Sequence, residues 1–342
     1  MAPFFTGVSR SLGGFGFGGK GRGRRIVITM WGGGGGGINF PGGSPTWGTA
    51  APGGAGGSVI FTGTYSDINA ASGQTLYLYV GGGGSGSTPG AGGPNGGHPG
   101  SGGSAGPGGA QGGGGGMSSI YLGGPFSSGT LLLIAGGGGA GYFESIATYP
   151  TGWVPPSIPQ PTVNNGFGGS QSAGGAGGVS ANPSYPPGSA GSQFTGGSGS
   201  GAANGKAGGG GAGWYGGGGG ASDTGAATGA PGGGGSNYHN PIISPSKVAH
   251  ANFFNDPWFN PGAPGSWPAV NASLGPLYST NPAYAGTRST LPGQNAPNPL
   301  YSLPYGGGST VNGAGYPGSI HITVDGVTTS FTSVGPFTYT LP

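Results

Sequence analysis

Few residues in this 342-residue chain could do chemistry: four histidines, five carboxylates and eight lysines or arginines, with no cysteine. A zinc site needs clustered ligands and a general acid–base pair needs two groups within reach of one substrate. His98, His239, His250 and His321 show no ligand spacing, and the acids are scattered over most of the chain. Gly14-Phe-Gly-Phe-Gly-Gly-Lys20-Gly21 approaches a phosphate-binding loop, but Gly21 replaces the hydroxyl residue that would hold Mg²⁺, and no aliphatic strand precedes it. Ser198 and Ser200 stand in a Ser/Gly tract without the strand and helix that frame a nucleophile elbow. At this glycine content G-x-G-x-x-G matches arise by chance. Asn271-Ala-Ser273 is a glycosylation sequon, which matters only on a secretory route. No catalytic residue, metal ligand or cofactor is expected, and the chain reads as a non-enzyme.

What remains is scaffold, and its composition is unusual. The 96 glycines and 33 prolines exceed the roughly 25–30% share at which an aperiodic chain is usually low-complexity. Disordered chains are also rich in charge, whereas here 4% of residues are charged and 11% are aromatic. A surface with so little charge is expected to be covered by neighbours. The net charge of +3 rests on few groups. Arg10, Lys20, Arg22, Arg24 and Arg25 form a basic N-terminal cluster, and the rest of the chain is close to neutral. The start of the chain holds no apolar stretch of signal-peptide length, and no run approaches the ~20 residues of a membrane helix. The expectation is synthesis in a cytoplasm and residence in a particle assembled there, without a membrane partner.

Six regions follow from texture. Residues 1–25 read as a basic glycine-rich arm, and 26–145 alternate strand-like runs with glycine tracts. A Pro-rich connector covers 146–165, and glycine returns through 166–236. A Pro/Asn/aromatic insertion covers 237–305, and 306–342 supply closing strands. The strand candidates are Ile26–Trp31, Ser58–Tyr65, Thr75–Val80, Ser118–Leu122 and Thr130–Ala135, each β-branched or aromatic. Three of them run directly into glycine, at 32–37, 81–84 and 136–139. At the C-terminus Ile320, Ile322 and Val324 alternate on one face, and Asp325-Gly326 suits a type I′ turn into Val327–Phe331. Phe337, Tyr339 and Leu341 mark a final strand. Helical periodicity is absent, so the chain reads as all-β with long irregular loops.

The tracts at 32–37, 81–84, 112–116, 136–139, 208–211, 216–220 and 232–235 admit two readings. Contiguous glycine excludes collagen, which needs glycine at every third position. Flexible linkers are one possibility. The other is a bundle of extended threefold polyglycine-II helices, about 3.1 Å per residue, whose bare backbones approach closely enough to bond one another. On that reading Gly34, Gly82, Gly114, Gly137, Gly210, Gly218 and Gly233 are structural positions.

Trp31–Gly37, Gly73-Gln-Thr-Leu-Tyr-Leu-Tyr-Val-Gly-Gly-Gly-Gly84, Leu131-Leu-Leu-Ile-Ala-Gly-Gly-Gly-Gly-Ala-Gly141 and Gly213–Gly220 resemble the glycine-rich domain of anaplastic-lymphoma-kinase-type receptors. Similar modules occur in viral and bacteriophage virion proteins, tail-fibre adhesins included. The resemblance spans roughly 26–240 plus the closing strands and implies a jelly-roll-like β-sandwich carrying a bundle of polyglycine helices. The receptor versions carry cysteines, a signal and a membrane span. Their absence from this sequence favours the viral branch, and Met1–Arg10 is similar to the starts of viral glycine-rich structural proteins.

The resulting expectation is a virion structural protein, in a capsid, spike or fibre, whose partners are its own copies and other virion proteins. The arm of Arg10, Lys20, Arg22, Arg24 and Arg25 is expected to dock on a neighbour rather than on nucleic acid. Phe254, Trp258, Phe259 and Trp267 are expected to bury against other subunits. The alternatives are an adhesive module for a host receptor or glycan and an RNA-associated low-complexity protein.

Overall fold

A computed structural model describes residues 23–37, 54, 56–86, 90–106, 112–140, 166–170, 172–180, 183–200, 206–222, 229–230, 232–250 and 314–342. Arg10, Lys20 and Arg22 of the arm, the 146–165 connector, and Phe254, Trp258, Phe259 and Trp267 of the insertion lie outside the described residues.

Alternating apolar residues build the first sheet. In β1 (Arg25–Trp31), Ile26, Ile28 and Met30 are fully buried, and the intervening residues are half-buried. β1 lies between β2 (Ser58–Thr64) and β10 (Ser319–Val324), with Ile28 opposite both Phe61 and Ile322. β11 (Val327–Phe331) extends the sheet beyond β10, and β9 (Val248–His250) extends it beyond β2. Asp325 (φ 48°) and Gly326 (φ 87°) make the left-handed pair that a type I′ turn demands, which fixes the β10–β11 register.

The second sheet runs β12 (Gly335–Thr340), β3 (Thr75–Val80), β4 (Ser118–Leu122), β5 (Thr130–Ala135) and β8 (Tyr238–His239). Both sheets are antiparallel throughout. A register shift opposite Ile120 and Tyr121 skips Leu132. An extra residue of this kind turns the strand. Leu132 and Leu133 therefore both join the central core, while Ile134 packs on the other side with Met117 and Ala212.

The two sheets share one hydrophobic cluster. Ile26, Ile28, Phe61, Ile320 and Ile322 come from the first, and Leu76, Leu78, Ile120 and Leu133 from the second. Each such fully buried side chain contributes about 1.5–3 kcal/mol. Leu341 closes the base at 1% exposure, and Phe337 and Tyr339 pack at its rim. Helix is confined among the described residues to two short 3-10 turns, Tyr65–Ile68 and Pro245–Lys247.

Residues 237–250 depart from the irregular character expected of 237–305. Tyr238–His239 and Val248–His250 add an outer strand to each sheet, and Ile243 between them is fully buried in the shared core. Prolines at 241 and 245 fall in the connection between them, and strands of two or three residues are too short to show a period. A further two-stranded parallel pair, β6 (Lys206–Ala207) and β7 (Gly229–Ala230), leads toward two of the glycine tracts.

Candidate functional site

Antiparallel pairing gathers the ends of β1, β3 and β5 and the starts of β2, β4 and β10 at one glycine-bearing boundary. Trp31 ends β1 opposite Ser58 and Ser319, which begin β2 and β10. Ala135 ends β5 opposite Ser118, which begins β4. β1, β3 and β5 therefore leave the sheets into the tracts at 32–37, 81–84 and 136–139, where 112–116 and 232–235 return toward β4 and β8. The apolar period-2 pattern stops at this boundary because side chains stop there.

Beyond the boundary the backbone satisfies itself. Gly32 donates to Gly57, Gly33 to Gly116 and Gly34 to Tyr316. Gly35 then returns to Gly54 and Gly36 to Gly113. The donor direction therefore repeats every third residue and visits three neighbours. The tract at 216–220 behaves likewise, with Gly216 and Gly219 donating to Ser192 and Ser189, and Gly217 and Gly220 to Gly211 and Gly208. In 112–116, Gly113 and Gly116 donate to Ser85 and Gly82 while Gly115 bonds Gly138. These bonds measure 2.7–2.9 Å. The glycine tracts pair their buried N–H groups here with carbonyls of other tracts and of the segments between them, which meets the accounting required of any buried backbone.

The seven glycines singled out from the sequence all take part. Gly34 donates to Tyr316, Gly82 to Pro94, Gly114 to Gly103, Gly137 to Ala212, Gly210 to Gly197, Gly218 to Phe167 and Gly233 to Gly218. All seven are buried. A Cβ on Gly114 would fall on the Gly210 carbonyl oxygen, on Gly210 on that of Gly217, and on Gly218 on that of Ala176. For Gly82 the obstacle is the Pro94 ring, at 2.7 Å. Backbone neighbours of this kind cannot step aside as a flexible side chain can.

Two polar side chains tie the sheets together at the boundary. The Ser118 hydroxyl, fully buried, donates to the Trp31 carbonyl at 2.7 Å and accepts from the Gly81 N–H at 3.0 Å. It thereby joins the ends of β1 and β3 to the start of β4. Asn237, 1% exposed, accepts from the Gly136 N–H at 2.8 Å and donates to the Ser58 carbonyl at 3.3 Å. The sequence reading passed over both; a polar residue standing between a glycine tract and a strand was the available signal.

An aromatic cover lies on the other side of β3, β4 and β5 from the shared core. His98 is held with its Nδ1 2.8 Å from the Pro99 carbonyl and its Nε2 2.7 Å from the Tyr121 hydroxyl. A carbonyl can only accept, so Nδ1 carries the proton and Tyr121 donates to Nε2. Burial pushes the His98 pKa down and the Tyr121 pKa well up. Asn95 fixes the adjoining loop by accepting from Met117 N–H at 2.9 Å and donating to the Pro99 and Phe194 carbonyls at 3.0 and 2.9 Å. Phe194 sits edge-on to His98 and to Trp214, and Trp214 stacks on Tyr238 at 4.3 Å. His98 is thus a structural residue of this cover. His321 is likewise engaged in its sheet, with Ser330, Ser319 and an edge-on contact to Trp31.

Charge is used sparingly. Arg24, which the sequence reading assigned to partner docking, is paired with Asp325 at 2.6 Å across the start of β1 and the β10–β11 turn. Arg25 begins β1 with its side chain exposed. Asp67 accepts from Lys247 at 2.6 Å and from the Thr64 backbone and hydroxyl at 2.7 and 2.8 Å, and these bonds lower its pKa to about 2, Lys247 first. Among the described residues no three His, Cys, Asp or Glu side chains gather to hold a metal, and no helix is long and apolar enough to cross a membrane. No protein-family model matches the chain, and no curated protein matches it.

Proposed function

We propose that this chain is a structural protein of a virus particle, a capsid, spike or fibre component, with a jelly-roll-like β-sandwich prolonged at one end by a bundle of polyglycine-II helices. The observation that carries this reading is the three-residue repeat of donor direction in the glycine tracts, in which Gly33 and Gly36 bond one neighbour and Gly32 and Gly35 another. A threefold helix rises about 3.1 Å per residue, so tracts of this length reach roughly 12–19 Å beyond the sheets. Such a strut needs no side-chain core, and its stiffness comes from hydrogen bonds to several neighbours at once. Its function is mechanical: the strut holds shape, and scarce surface charge lets subunits pack closely.

The chain is then expected in purified particles at fixed stoichiometry, retained through washing in high salt. A chain released instead as a monomer, bound to host cells and displaced from them by soluble glycan, overturns this reading in favour of an adhesive module.

A further inference from the structure

β11 (Val327–Phe331) is an edge strand; among the described residues it pairs with β10 alone. The Asp325-Gly326 turn makes Val324 and Val327 the closing hydrogen-bonded pair of the hairpin, and alternation makes Ile322–Thr329 and Ile320–Phe331 the next two. The N–H and C=O groups of Thr328 and Ser330 consequently point away from β10. Natural edges are protected by lysine, proline or a bulge. β11 has none of these, whereas β12, at the edge of the other sheet, carries Pro336.

We infer that β11 pairs antiparallel with β11 of a second copy about a twofold axis through Thr329. The sequence Val-Thr-Thr-Ser-Phe is complementary to itself in that register. Thr328 meets Ser330 of the second copy as a hydrogen-bonded pair, and the same pair recurs across the axis, using all four outward N–H groups of the two strands. Thr329 faces its own counterpart. Val327, 71% exposed, covers the Phe331 ring of the other copy, which already leans on Phe337 at 5.3 Å. No charge opposes itself, because the two copies of Asp325 lie at opposite ends, about 27 Å apart at 3.4 Å per residue. A strand without charges offers little to select a different partner, and its symmetry selects itself. This contact gives the proposed subunit packing a location, and it is measured on the purified chain, so it stands or falls separately from the particle assignment.

The chain has no cysteine, so a single one reports cleanly. In a non-hydrogen-bonded antiparallel pair the Cα atoms lie about 4.5 Å apart, within disulfide range. Thr329→Cys should form a disulfide-linked dimer under mild oxidation, and Thr338→Cys, on exposed β12, should not. Thr329→Lys and Thr329→Asp should each weaken self-association roughly fivefold or more by light scattering, and mixing the two should restore it. Linkage at 338 as fast as at 329 overturns the inference, as does a folded Lys and Asp pair that stays monomeric when mixed. So does a residue 329 thiol that a small alkylating reagent cannot reach in the native monomer, since the edge would then be covered by the chain itself.

Discussion

The Ser118 hydroxyl donates to the Trp31 carbonyl at 2.7 Å, a bond that runs from the first residue of β4 in one sheet to the last residue of β1 in the other. Because the same oxygen accepts from Gly81, its removal leaves the buried Gly81 N–H without that partner and takes one of the bonds from the Trp31 carbonyl. Ser118→Ala should destabilise the fold by about 1–3 kcal/mol in urea unfolding, the cost of one buried N–H left unpaired. Asn237→Ala should cost a similar amount. A change within error for both would mean that the boundary is held by the strands alone.

Glycine substitutions should divide sharply. Gly114→Ala places a methyl group on the Gly210 carbonyl, and overpacking of this kind costs about 1–3 kcal/mol or more. Gly23→Ala meets nothing within 4 Å and should be neutral or stabilising by up to about 1 kcal/mol. Thermal melting of the two variants checks the contrast, and equal tolerance would restore the linker reading of the tracts.

Stability should fall on mild acidification. Burial depresses the folded-state pKa of His98, and of His239 and His321, below the ordinary 6.5. As pH drops through about 6.5 the unfolded chain binds protons that the folded chain refuses, so stability declines until the folded-state values are reached. The melting temperature is expected to be lower at pH 5.5 than at pH 7.5. His98→Gln, which can still bond the Tyr121 hydroxyl, should make that dependence shallower.

A separate loss belongs at lower pH. Asp67 is held at a pKa of about 2 against an ordinary 3.8, so the stability its bonds to Lys247 and Thr64 supply is complete above about pH 4 and is lost between pH 4 and 2. Asp67→Asn should be less stable at neutral pH and flatter across that window in acid-unfolding curves.

The sheets were largely legible in the sequence. β1, β3, β4 and β5 announced themselves by β-branched composition, and the Asp325-Gly326 turn fixed the C-terminal hairpin. β8 and β9 were not, because a two- or three-residue strand flanked by proline has no period to read. That β12 crosses to pair with β3 rather than with β11 is also invisible locally, since Phe337 and Tyr339 would alternate the same way in either sheet. The seven tracts were visible as tracts. Their pairings were not, because successive glycines differ in nothing that a pattern could record. The aromatic cover of His98, Phe194 and Trp214 joins loops far apart in the chain, which no spacing argument reaches.

The identity of one glycine with the next has a further consequence for how this chain folds. The backbone bonds between glycines carry no mark of which glycine makes them, so alignment must be recorded where the tracts meet residues with side chains. The strands that feed the tracts record it, through side chains such as Ile28, Leu78 and Leu133 that fit one position and no other. The sheets therefore act as the ruler against which the glycine is measured.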